Sequence, residues 1–251
     1  MPDPTAPLFE TLRVDLEGQL GHLTLDQPDH LNPIGSLALQ ELAAAAAWFD
    51  TTAAVVVVVR GAGRAFSAGF DLRELHEPTA GSARSPELGA AMAEAVASMH
   101  AVTIAAVQGP CVGGGFVLAM CCDLRIVAED AWFSLPEAEL GIPLAWSGVP
   151  RLVREVGPAR ATELIPSCRR VPATEAAQWG IVNRLVPAGE LAAATDELAA
   201  VILQRSPTVV AVTKQQVQAA AAELVPTEGP WAGTEHLVAA LRALQPGAGS
   251  S

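Results

Sequence analysis

Five consecutive valines at positions 55–59 constrain this chain more than any other stretch. β-Branched side chains crowd a helix but suit a pleated strand. An unbroken apolar run bounded by Gly61 predicts a strand over 53–60 that is buried on both faces. A strand of that kind needs a layer on each side. With 251 residues, 51 % of them apolar, the chain can supply both. The length suits one large domain, or one domain with a small helical appendage.

The same pattern recurs at 103–108, which predicts a second fully buried strand. Two short strands over 11–16 and 19–25 are joined by a tight turn at Glu17 and Gly18, with Leu12, Val14 and Leu16 alternating with polar residues. Ser36 is placed to cap a helix running to about residue 50. Helices are expected over 86–100 and 116–121, and further short strands over 123–128 and 132–134. Strands alternating with helices argue for an α/β architecture with crossover connections. From 191 onward the pattern is almost wholly helical (191–205, 207–222, 229–244). This divides the chain into a core over 1–190 and a helical section over 191–251. Residues 77–85 read as a mobile surface loop, and 245–251 as a disordered tail.

The net charge of −12, with lysine nearly absent, argues against nucleic acid and anionic membranes as partners. Only 17 % of residues are charged, which suggests surface buried against other subunits. Cys111, Cys121, Cys122 and Cys168 show no CxxC and no Cys/His spacing for zinc, so no metal site is expected and buried thiols in a reducing cytosol are. The first residues lack a secretory-leader pattern. The apolar run at 53–59 is far short of the ~20 residues a membrane span requires.

Each buried strand feeds a glycine-rich loop. The first contains Gly63-Arg64-Ala65-Phe66-Ser67-Ala68-Gly69-Phe70-Asp71-Leu72, and the second Gly109-Pro110-Cys111-Val112-Gly113-Gly114-Gly115-Phe116. A plain strand-to-helix turn needs one or two glycines. Three in a row at a helix start, at roughly 1 kcal/mol each against alanine in a helix interior, point instead to a helix N-terminus facing a developing anion. No Lys-Ser/Thr follows, as a P-loop requires. Phe66 stands where a dinucleotide fingerprint needs its third glycine, and Ser67 lacks the glycines of a nucleophile elbow. A third segment, Leu135-Pro136-Glu137-Ala138-Glu139-Leu140-Gly141, sets two carboxylates in apolar surroundings. Such carboxylates either are solvated or titrate near neutral pH.

Ser67 through Leu72, Ile104-Ala105-Ala106-Val107-Gln108-Gly109, Gly113-Gly114-Gly115, Cys122-Asp123-Leu124, Pro136-Glu137-x-x-Leu140-Gly141 and Gly180-Ile181-Val182 together resemble the crotonase superfamily, in order and spacing, over about 12–220. The resemblance implies a crotonase (ClpP-like) α/β fold of repeated ββα units in a spiral of roughly perpendicular sheets. Its C-terminal helices would serve oligomer contacts, in a homotrimer or a dimer of trimers. It implies a cytoplasmic enzyme acting on an acyl-CoA, with coenzyme A entering as part of the substrate and no permanently bound cofactor. The backbone amides of Phe70 and Gly114 would form an oxyanion hole for the thioester oxygen, and Glu137 would transfer the proton. Asp71 would order its loop, Arg73 would reach the CoA phosphates and the Ala68 carbonyl would accept from adenine. Gly69, Leu72, Gly113, Val117, Pro136, Leu144 and Trp146 would complete the substrate site.

Hydratases of that family carry a second glutamate in the helix after the glycine triplet. Here that position is Val117. A single carboxylate suits a double-bond shift better than the addition of water, so a Δ3,Δ2-enoyl-CoA isomerase-like reaction is expected ahead of hydration. A non-catalytic acyl-CoA binder is a third possibility. Glu139 would be either a second acid/base or a pocket wall favouring polar acyl groups.

Overall fold

The computed structural model describes residues 5–76, 84–229 and 233–244. Of the loop expected over 77–85, residues 77–83 lie outside them, as does the tail over 245–251, and Ser85 already begins a helix. Strands β1 (Leu12–Glu17) and β2 (Leu20–Leu25) form the anticipated hairpin. Strands β4 (Val56–Gly61), β6 (Val102–Val107), β8 (Leu124–Ala128) and β11 (Arg184–Val186) then add in parallel. The resulting six-stranded sheet has the order β1-β2-β4-β6-β8-β11.

The valine run is buried on both faces, as its composition requires. Val57 and Val59 pack into the main core with Leu39, Leu42 and Phe49 of helix α1 (Ser36–Phe49). Val56 faces the other way, with Ile104, Ile126 and Ala199 of helix α7 (Leu191–Leu203). A buried side chain of this size contributes about 1.5–3 kcal/mol. The sheet therefore holds a helical layer on each side.

Two small sheets stand apart from the large one. Strands β7 (Pro110–Val112), β9 (Trp132–Ser134) and β10 (Val171–Pro172) form one, in the order β10-β9-β7. Strands β3 (Pro33–Ile34) and β5 (Gly69–Phe70) pair in parallel to form the other. The remaining helices are α2 (Arg73–His76), α3 (Ser85–Ser98), α4 (Gly114–Cys121), α5 (Gly148–Ser167), α6 (Ala173–Gln178), α8 (Pro207–Leu224) and α9 (Thr234–Leu244). No helix among the described residues is long and apolar enough to cross a membrane.

One local expectation is corrected and one element is added. Ser36 does not cap α1, because Gly35 is the N-cap. Instead Glu74 of α2 accepts from the Ser36 amide (2.8 Å) and hydroxyl (2.5 Å). A carboxylate distant in sequence thus satisfies the free helix end and complements its dipole. The added element is α5, a long helix absent from the sequence reading. It kinks at Gly157 (φ 77°, ψ 167°) and contains Pro158 and Pro166, residues that read as breaks in sequence. All four cysteines are free and buried, and burial pushes the thiols of Cys111, Cys121 and Cys122 up.

Candidate active site

The two glycine loops are zipped together. Ser67 N–H donates to Pro110 O (3.1 Å), and Val112 N–H donates to Ser67 O (3.0 Å). The first loop is held from beneath by Asn32, whose side-chain amide donates to the carbonyls of Ala62, Ala65 and Phe66. Gln108 Nε2 donates to Gly61 O at 2.6 Å. The Ser67 hydroxyl donates to Asn32 O at 2.7 Å and accepts from the Gly69 amide at 3.0 Å. These bonds fix the backbone leading into Phe70.

Each glycine of the triplet has its own reason. Gly113 has φ 50° and ψ −121°, a conformation essentially reserved for glycine. A β-carbon on Gly114 would stand 2.4 Å from Cζ3 of Trp146, and one on Gly115 would stand 2.6 Å from Cβ of Ser67. On the facing loop, a β-carbon on Gly69 would lie 2.6 Å from Val112 O and 3.5 Å from the Gly114 nitrogen. Gly114 is the first residue of α4, so the helix itself leaves its N–H without an acceptor.

Glu137 lies in a 3₁₀ turn, Pro136–Ala138, that follows β9. Its Oε1 sits against Gly113, where a β-carbon would be only 2.9 Å away. Its Oε2 is shielded from solvent and has no hydrogen-bond partner among the described residues. Burial pushes the carboxyl up to about 7, against a smaller lowering by a hydrogen bond from its own backbone amide. The carboxylate opens onto a pocket shared with Phe70, Gly114, Val117, Leu144 and Trp146. Ile142, Pro143, Ser85 at the start of α3, and Leu237 and Leu241 of α9 also line it. Glu137 is the one ionisable side chain among these lining residues.

Trp146 and Ser147 both have left-handed backbone (φ 55° and 56°). For a residue as large as tryptophan this conformation costs about 1–2 kcal/mol. The buried indole Nε1 has no partner among the described residues, which costs about 1–3 kcal/mol more. The ring meets Phe70 edge-on at 6.2 Å between centroids.

The expected residues therefore divide. Phe70, Gly114, Val117, Glu137, Leu144 and Trp146 line one pocket, with Gly69, Gly113 and Pro136 packed behind it. Glu139 does not join them: it is exposed and absent from the lining, because the 3₁₀ turn carries it to the outside. Ala68 and Leu72 are exposed and absent from the lining. Arg73 is also exposed and grips Asp71 with Nη2–Oδ2 at 2.6 Å and Nε–Oδ1 at 2.9 Å, which holds the Asp71 carboxyl below its usual value. The sequence reading missed Asn32, although an asparagine tolerates the left-handed backbone it has here (φ 54°). It also missed Leu237 and Leu241, which nothing in a terminal helical pattern assigns to a pocket.

Residues 15–229 match the family model described as enoyl-CoA hydratase/isomerase. The probable enoyl-CoA hydratase echA8 of Mycobacterium tuberculosis is 35 % identical over 213 residues, which are 84 % of this chain and 82 % of that protein. An enoyl-CoA hydratase structure from Mycobacterium avium subsp. paratuberculosis superposes with a TM-score of 0.84 at 28 % identity, covering 93 % of this chain and 95 % of that one. An enoyl-CoA hydratase described as putative, from Thermobifida fusca in complex with CoA, gives 0.78 at 29 % identity, covering 95 % and 97 %.

Proposed function

This chain belongs to the enoyl-CoA hydratase/isomerase family, and on that premise we propose that it shifts the double bond of an enoyl-CoA with Glu137 as its single proton carrier. The observation that carries this reading is one carboxylate, raised to about 7, in a pocket whose other described lining residues are uncharged. Near neutral pH such a group is divided between its two forms and can both take and return a proton.

The thioester oxygen would accept from the amides of Phe70 and Gly114. Two donors aimed at a developing oxyanion favour the enolate over the ground state, and losing one typically costs about 3–4 kcal/mol. The Glu137 carboxylate takes a proton from C2 of a 3-enoyl thioester. The C–H electrons pass into the carbonyl and form a dienolate. The Glu137 carboxyl returns a proton at C4, leaving the double bond between C2 and C3. No water is consumed, so no second carboxylate is required. Val117, buried in the pocket wall, takes the place where a second one would anchor water.

Hydration of a 2-enoyl-CoA is the second reading, favoured by the names of the relatives. The exposed Arg73 would meet the CoA phosphates. The helices from residue 191 would form subunit contacts in a trimer or a dimer of trimers. Exposed Val209, Val212, Val217 and Leu224 on α8 are a surface such contacts would cover.

Glu137→Gln tests the proposal. Turnover of a 3-enoyl-CoA should fall by roughly 10²–10⁴, while affinity for a saturated acyl-CoA stays within a fewfold. Unchanged turnover would remove Glu137 from the reaction.

A further inference from the structure

On the acyl-thioester reading above, we propose that Trp146 ends the acyl pocket and restricts it to short acyl groups, of about four carbons. The indole bridges two helices. A β-carbon on Gly89 of α3 would stand 1.9 Å from Nε1, and one on Gly114 of α4 would stand 2.4 Å from Cζ3. The ring therefore fills the gap between α3 and α4, directly beside one of the two amides assigned to the thioester oxygen. Phe70 closes against it from the side of the other amide.

Packing alone does not account for this residue. A smaller side chain at 146 would need neither glycine, would not leave a buried indole N–H unpaired and would sit more easily in left-handed backbone. Local violations of this kind concentrate where function requires them. The consequence is a small space. The pocket's cavity volume is about 50 Å³. At about 10–15 Å³ for each water-sized position, that is room for three to five such positions. Val117, Ile142, Leu144, Leu237 and Leu241 make most of the remaining lining aliphatic, with Ser85 and Glu137 its polar members.

The test is a binding series of butyryl-, hexanoyl-, octanoyl- and decanoyl-CoA on the full chain, read by calorimetry. It is run on wild type and on Trp146→Gly, a replacement that suits the left-handed backbone. Wild type should bind butyryl-CoA at least as tightly as the longer thioesters. The variant should gain roughly tenfold or more in the decanoyl-to-butyryl affinity ratio, since burying even two further methylenes is worth that much. Affinity that climbs with chain length in wild type overturns the proposal, as does an unaltered ratio in a folded variant. If Trp146→Gly does not fold, the wild-type series decides alone. A protein that binds no acyl-CoA, free CoA included, overturns the acyl-thioester reading itself. Ranked binding without turnover overturns only the catalysis and leaves the length limit standing.

Discussion

The carboxylate of Glu137 rests on the one face of Gly113 that a side chain would occupy, with Oε1 2.9 Å from where a β-carbon would be. The glycine is needed twice, for this contact and for its own backbone (φ 50°, ψ −121°). Gly113→Ala should therefore cost about 1–3 kcal/mol in urea unfolding and lower kcat by more than tenfold as the carboxylate is displaced. Gly18 provides the contrast. It also has positive φ (63°), but a β-carbon there would meet nothing. Gly18→Ala should show the backbone cost without the loss of turnover.

Asn32 supports the loop that presents Phe70, and it does so from left-handed backbone. Asn32→Ala removes a buried amide that donates to three carbonyls. We expect a loss of about 2–4 kcal/mol, with kcat falling more than acyl-CoA affinity. Asn32→Gly should recover the backbone part of the stability but not the rate. Denaturant titration and steady-state kinetics on both variants check this.

Glu137 also links pH to stability. Its carboxyl is raised in the folded state, from 4.5 to about 7. The folded protein therefore holds the proton more tightly than the unfolded chain. Stability falls as pH rises from about 4.5 towards 7 and is level above that. The whole displacement corresponds to about 3 kcal/mol. Glu137→Gln removes the ionisation, so the variant should melt higher than wild type at pH 8 and not at pH 4. In wild type, kcat/KM should rise through about pH 7 as the base ionises.

Val117→Glu would set a second carboxylate beside the first. Two such groups in one apolar pocket cannot both ionise freely, so the rising limb of the pH–rate profile should move above 7. Stability should drop by a few kcal/mol. With a second anchor for water, addition to a 2-enoyl-CoA should increase relative to the double-bond shift. Product masses from the two substrates measure that ratio.

Much of this site could be read from the residues themselves. The valine run located the central strand, the two glycine loops located the pocket, and Pro136-Glu137 supplied its carboxylate. Side chains that act through backbone geometry were not legible. Asn32 works through a left-handed turn, and Glu74 caps a helix that begins 38 residues earlier. Helix α5 was hidden because Gly157, Pro158 and Pro166 break its period while packing keeps it helical. The outward turn of Glu139 was hidden too, since spacing of two residues places side chains together on a strand and not on a 3₁₀ turn.

The central claim is tested most directly by incubating the protein with a 3-enoyl-CoA and a 2-enoyl-CoA separately in D₂O and weighing the products. The account predicts 2-enoyl product from the first, carrying deuterium where Glu137 exchanges with solvent before returning the proton, and little addition of water to the second. Rapid hydration of the 2-enoyl-CoA, with no double-bond shift in the 3-enoyl-CoA, would contradict it.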